Sequence, residues 1–166
     1  METDAEWAIA PCRGCFAHVD DQRQIAFGLY GPLIVLEPRA TYDAETDHTL
    51  IFSQLGLGPQ SVVGFNGAAT PLPLELRAGV RHRLRFINIS IQDLIDVQLL
   101  ADSTPVMWRA LAKDGRDLEP RQAVRSVARL RFAPGETYDF ELSLPAGDYR
   151  LKVDTFNDFD VPVRVR

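Results

Sequence analysis

From about residue 29 to the end of the chain, apolar and polar side chains alternate with a period of two, the mark of strands that bury one face. The run Ala128-Arg-Leu-Arg-Phe132 sets Arg129 and Arg131 against apolar neighbours. Over residues 137 to 144, Tyr138, Phe140, Leu142 and Leu144 share one side, and Asp139, Glu141 and Ser143 share the other. Tyr149, Leu151 and Val153 then alternate with Arg150, Lys152 and Asp154, and Val161, Val163 and Val165 close the pattern. Further strands are expected near 33–37, 47–54, 62–65, 72–76, 81–88, 96–100 and 108–113, with one helical turn over 91–95. Turn signals separate these runs at short spacing: Asn66-Gly67, Ala78-Gly79, Asp114-Gly115, Pro134-Gly135 and Ala146-Gly147-Asp148. About ten short strands without a helix-length periodic segment predict an all-β, antiparallel Greek-key sandwich. Residues 1–28 lack a sustained period, since Pro11, Gly14, Gly28 and the Asp20-Asp21 pair interrupt it. They are expected to form a loop-rich arm leading into an extra strand over residues 29–37.

Composition narrows the function classes. At 166 residues, the chain holds one domain with a sizeable core, or one domain and part of a second. A net charge of -5 opposes any partner recognised by phosphate neutralisation, so nucleic acid is not expected. No apolar run is long enough to span a membrane, and the acidic first residues lack the basic-then-apolar order of a signal peptide. No nucleophile-elbow, P-loop or dinucleotide fingerprint occurs.

Donor chemistry is sparse. The histidines are His18, His48 and His82, and no His, Cys or Met follows Met107. A blue-copper site, which draws two His, a Cys and usually a Met from the end of a sandwich, cannot be built from that C-terminal part. His82 shares the parity of Leu84 and Phe86 and is expected to be a hydrogen-bonded core residue. His48, beside Asp47, is expected at a surface or edge. Cys12, Cys15 and His18 place three soft or borderline donors within seven residues, as a weak copper or zinc site would, yet the spacing lacks the second ligand pair of a zinc ribbon. Asp154, Asp158 and Asp160 lack the spacing of a calcium loop and are expected to form a solvated turn. Asn88-Ile-Ser90 fits the glycosylation pattern but ends a buried-looking strand, so it is expected to stay unmodified.

Several motifs, in order, resemble the multicopper oxidases, the laccase-like enzymes. Gly28-Leu-Tyr-Gly-Pro-Leu-Ile-Val35 is similar to the strand that ends their first cupredoxin domain. Phe65-Asn-Gly67, Gly79-Val-Arg-His-Arg-Leu-Arg-Phe-Ile-Asn-Ile-Ser90, Ala112-Lys-Asp-Gly115 and Ala133-Pro-Gly-Glu-Thr-Tyr-Asp139 resemble successive motifs of the second, copper-free domain. The resemblance implies a cupredoxin-like Greek-key β-sandwich over 38–166, preceded by an arm and domain remnant over 1–37, as in a truncated form of the oxidase. Where the family carries its first His-x-His ligand motif, this chain has Phe16-Ala-His18, so His18 is the metal-ligand position retained, and Phe cannot donate to a metal. The family's three-copper cluster uses more histidines than the three present. The resemblance therefore implies oxidase ancestry with a structural role, no catalytic or cofactor-binding residues, and no stoichiometric copper held by this chain alone. The competing reading is a free-standing sandwich that binds a partner through its loops. A copper-bearing partner domain or a homo-oligomer, in a periplasmic or secreted setting, follows from the resemblance. Bare strand edges and unpartnered backbone groups, at about 1 to 3 kcal/mol each, predict that the strand over 29–37 docks on its own domain or exchanges with a second copy.

Overall fold

The computed structural model describes residues 21–36 and 39–166, which form two packed sheets. Thirteen strands run in chain order: β1 (Asp47–Leu55), β2 (Val62–Phe65), β3 (Leu74–Leu76), β4 (His82–Asn88), β5 (Ile95–Ala101), β6 (Thr104–Pro105), β7 (Met107–Lys113), β8 (Arg116–Asp117), β9 (Arg125–Val127), β10 (Arg129–Phe132), β11 (Thr137–Leu142), β12 (Gly147–Asp154) and β13 (Phe159–Val165). The first sheet has the order β2-β1-β4-β11-β7-β8, with β9 also paired to β7. The second has the order β10-β5-β12-β13-β3, with β6 beside β5.

The sheets are mixed rather than purely antiparallel. β1 runs parallel to β4, and β3 runs parallel to β13. The cause is connectivity: β3 lies in the opposite sheet, so the chain crosses the sandwich before returning beside β1 in the same direction. The short edge strands β6, β8 and β9 were not expected, because two or three residues cannot establish a period.

Between the sheets lies a dry core. Phe52, Phe86, Phe132 and Trp108 are fully buried, with Phe140 beside them. Phe86 stands edge-on to Phe132, Phe140 and Trp108, and Trp108 stacks on Phe140 with ring centroids 4.0 Å apart. Val97, Leu99, Leu151, Val153, Val161 and Val163 close it from the second sheet. Aromatic pairs of this kind contribute about 0.5 to 1.5 kcal/mol each beyond area burial.

Turn chemistry sets the registers. Asp114 and Gly115 both adopt positive φ, 47° and 87°, which gives the two-residue turn whose twist matches the flanking strands β7 and β8. Asn66, at φ 48°, accepts the Ile51 N–H through Oδ1 at 2.7 Å and donates through Nδ2 to the Thr49 carbonyl at 3.1 Å. The expected helical turn over 91–95 is instead a bend, and β5 begins at Ile95. Asn88 and Ser90 organise it: the Asn88 amide donates to the Asp93 and Phe132 carbonyls, and the Ser90 N–H and hydroxyl both donate to Asn88 Oδ1. Asn88 is fully buried with its amide engaged, a setting that hides the glycosylation motif.

The arm also departs from expectation. Residues 21–26, expected as loop, form α1 (Asp21–Ala26). The helix ends at Gly28, φ 90°, whose N–H donates to the Ile25 carbonyl while the Leu29 N–H donates to that of Gln24, the paired closure that favours glycine. Residues 29–36 belong to no strand. Their side chains, rather than a ladder of backbone bonds, hold them to the sandwich.

Candidate functional site

Strand parity puts Asp47, Thr49, Ile51 and Ser53 of β1, and Arg83, Arg85 and Ile87 of β4, on the outer face of the first sheet. One part of that face is apolar and carries the arm. Tyr30 and Ile34 pack on Ile51 and Ile87, and Ile89 completes the cluster. The Tyr30 hydroxyl hydrogen-bonds Ser53 Oγ at 2.7 Å, and the Gly56 N–H donates to the Ala26 carbonyl at 3.0 Å. The arm thus docks on its own domain, on the sheet's face and not along its edge. Its other side is open: Phe27, Leu29, Leu33 and Val35 are exposed.

The other part of the face is ionic and buried. Asp139 and Arg85 are 1% and 2% exposed, so the second face is buried here too, where the alternation predicts strands with one buried face. Asp139 Oδ2 accepts from Arg83 Nε at 2.8 Å and from Arg85 Nη1 at 2.9 Å, and Arg85 also grips Asp47 through Nε at 2.6 Å and Nη2 at 2.5 Å. Burial pushes the Asp139 carboxyl above its ordinary value, against the opposing pull of Arg83 and Arg85. Such a network sets strand register more than it adds net stability, since desolvation offsets most of the attraction.

The two described histidines meet on the inner side of the same strands. His48 Nε2 lies 3.0 Å from His82 Nδ1, and His82 Nε2 faces the Arg77 N–H at 3.0 Å and the Arg77 carbonyl at 3.1 Å. His82 is a core histidine, as expected. His48 is half-buried at the end of β1 that pairs with β4 alone, an edge position as expected, and lies diagonally across from His82. Burial and then the neighbouring His82 hold the His48 ring below its ordinary value, with Asp47 and Asp43 opposing.

Copper, the metal implied by the resemblance, does not fit these residues. Both nitrogens of His82 are engaged by protein partners, and no group of three or more His, Cys, Asp or Glu side chains stands together among the described residues. His18, Cys12 and Cys15 lie outside the described residues. The aspartates near the last strand form a charged turn: Asp154 pairs with Lys152, Asp160 with Arg150, and Asp158 accepts the Thr155 N–H. Sequence reasoning missed the buried ionic network and the histidine pair. The available signal was the spacing of Arg81, Arg83 and Arg85, which demands carboxylates on neighbouring strands once the face is covered.

No family model and no curated protein matches the sequence. Solved structures do match. The blue copper oxidase of Nitrosomonas europaea aligns with a TM-score of 0.66 at 20% identity, covering 89% of this chain and 54% of that one. A second multicopper oxidase aligns with a TM-score of 0.68 at 17% identity, covering 90% of this chain and 54% of the other. A multicopper oxidase of Pseudomonas thermotolerans gives a TM-score of 0.65 at 19% identity, with 87% and 38% covered. The chain spans about half the length of the first two, and it shares with all three the cupredoxin-like sandwich fold.

Proposed function

We propose that this chain is a non-catalytic cupredoxin-like unit of a multicopper-oxidase-type protein, whose work is structural: its arm holds a copper-bearing domain against the sandwich. The observation that carries the reading is the two-sided arm. One side is committed to Ile51, Ile87 and Ser53, while Phe27, Leu29, Leu33 and Val35 project away from the domain. An apolar row on a docked segment is a ledge for another packed body, because leaving it in water forgoes about 25 cal/mol for each Å² that burial would remove. The oxidases of like fold are about twice as long as the matched segment, which leaves room for such a body. His18 keeps one position of the family's first ligand motif and is the metal-ligand position of this reading. A periplasmic or secreted setting goes with it. No described helix is long and apolar enough to cross a membrane.

Two experiments on the full chain decide the matter. Dialysis against copper followed by metal analysis is expected to leave no tightly held stoichiometric ion, and neither blue colour nor phenol oxidation is expected of the chain alone. Stoichiometric copper lost in His18→Ala or Cys15→Ser assigns the chain instead to the metal-binding proteins. Native capture from the source cell is expected to recover a copper-bearing partner, and to lose it in Leu29→Asp/Leu33→Asp. Recovery of the wild-type chain with no copper-bearing companion overturns the scaffold role.

A further inference from the structure

One row of directly opposed residues crosses the outer face of the first sheet on five strands. Asp47 stands opposite Arg83, Arg83 opposite Glu141, Glu141 opposite Arg109, and Arg109 opposite Arg125. Charge alternates along the row until its last step, where two arginines face each other on β7 and β9. Like charges directly opposed across strands are destabilising, so this step is a local conflict in an otherwise consistent ladder. Glu141 does not resolve it: its Oε1 accepts from Arg109 Nε at 2.6 Å, and its Oε2 lies 3.9 Å from Arg81. Arg125 is exposed and, among the described residues, pairs with no carboxylate. Three guanidinium groups therefore share one carboxylate around an open cleft, in a chain whose net charge is -5.

Two further features define what would fill the vacancy in that ladder. Met107 and Val127 stand opposite each other on the same face as the arginine pair, two residues along, and both are exposed. Among the described residues β9 is paired on one side only, to β7, which leaves its other edge open. An open edge strand, an exposed apolar pair and an excess of guanidinium together suit an extended peptide better than a small anion, which would use only the arginines.

We propose that the β7–β9 edge is a docking site for an acidic, extended segment of a protein partner, with a carboxylate bridging Arg109 and Arg125 and apolar side chains covering Met107 and Val127. This site lies beyond the arm on the same sheet and does not depend on copper-domain scaffolding. An Asp or Glu from the partner restores the alternation that the chain itself leaves broken. The arginine pair is kept at a cost to the isolated fold, as binding residues commonly are.

The test uses the full chain and a short fluorescent peptide alternating Glu and Val, with a Lys-Val peptide, citrate and inorganic phosphate as further probes. Saturable binding of the Glu-Val peptide that weakens with salt is expected, with no binding of the Lys-Val peptide. Arg125→Glu is expected to weaken it about tenfold or more and, by turning a like pair into an opposite one, to raise the melting temperature. Val127→Ser is expected to weaken the peptide alone. Equal affinity of wild type and Arg125→Glu overturns the proposal, as does a lower melting temperature in that variant. Citrate or phosphate competing as strongly as the peptide reduces the site to a small-anion site. Self-association without peptide that Arg125→Glu abolishes makes the occupant a second copy. Either result replaces the partner segment.

Discussion

Strand β4 is buried on both faces, yet the two faces are built from opposite chemistries. Inward, Leu84 and Phe86 meet Phe52, Phe132, Phe140 and Trp108. Outward, Arg83 and Arg85 meet Asp139 and Asp47. The inner contacts are non-directional and tolerate small shifts, so each side chain contributes through the area it buries. The outer contacts are conditional. Each charge is tolerable only while its partner is present, and removal of one leaves the others buried without compensation. The inner face supplies stability, whereas the outer face supplies register and orientation.

The sharpest break of that comparison is Phe86→Ala, which opens the centre of the aromatic cluster and is expected to cost about 4 kcal/mol in chemical denaturation. Asp139→Ala should come next, at about 3 kcal/mol, because Arg85 keeps its burial and loses a partner. The paired variant Arg85→Met/Asp139→Leu is then expected to recover most of that loss, whereas no second substitution of the same kind rescues Phe86→Ala. A double-mutant cycle by urea denaturation reads both, and full additivity of the ionic pair would remove the distinction. Smaller again is Tyr30→Phe, which leaves the buried Ser53 hydroxyl without its bond and should cost about 1 kcal/mol, with faster amide exchange and protease cleavage confined to the arm.

The smallest effect concerns the histidine pair that ends the inner face. The folded protein holds His48 below its ordinary value, so the unfolded chain binds the proton more readily. That contribution to stability is complete above about pH 6.5, the unfolded value, and is lost progressively as pH falls through the depressed folded value. Denaturation midpoints measured between neutral and mildly acid pH should decline for the wild type and decline less for His48→Gln. Identical profiles would show that the pair carries no proton linkage.

The strands were legible wherever one face was apolar. Residues 47–54, 62–65, 81–88 and 108–113 were read to within one or two residues of β1, β2, β4 and β7. Failure followed a pattern. The arm showed an apolar run read as a strand over 29–37, but among the described residues no partner strand lies beside it, and residues 29–36 form a strap on a face. Asp139 obeyed the alternation and was still misjudged, since alternation tells which face a residue takes and not whether that face is covered. His48 sits at an edge as expected, but its partner was not foreseen for a related reason: His82 is 34 residues away, on a strand brought alongside by the crossover.

By itself the amino-acid sequence determined the all-β class, the turns, the sandwich core and its likeness to the multicopper oxidases, because period, turn chemistry and motif order are written in neighbouring residues. Only the tertiary structure decided that β1 and β4 run parallel, that Arg85 joins carboxylates 38 and 54 residues distant, and that Arg109 faces Arg125. Those facts depend on which strands the crossovers bring side by side. A local pattern of hydrophobicity gives a strand's faces, and the topology of the whole chain gives its neighbours.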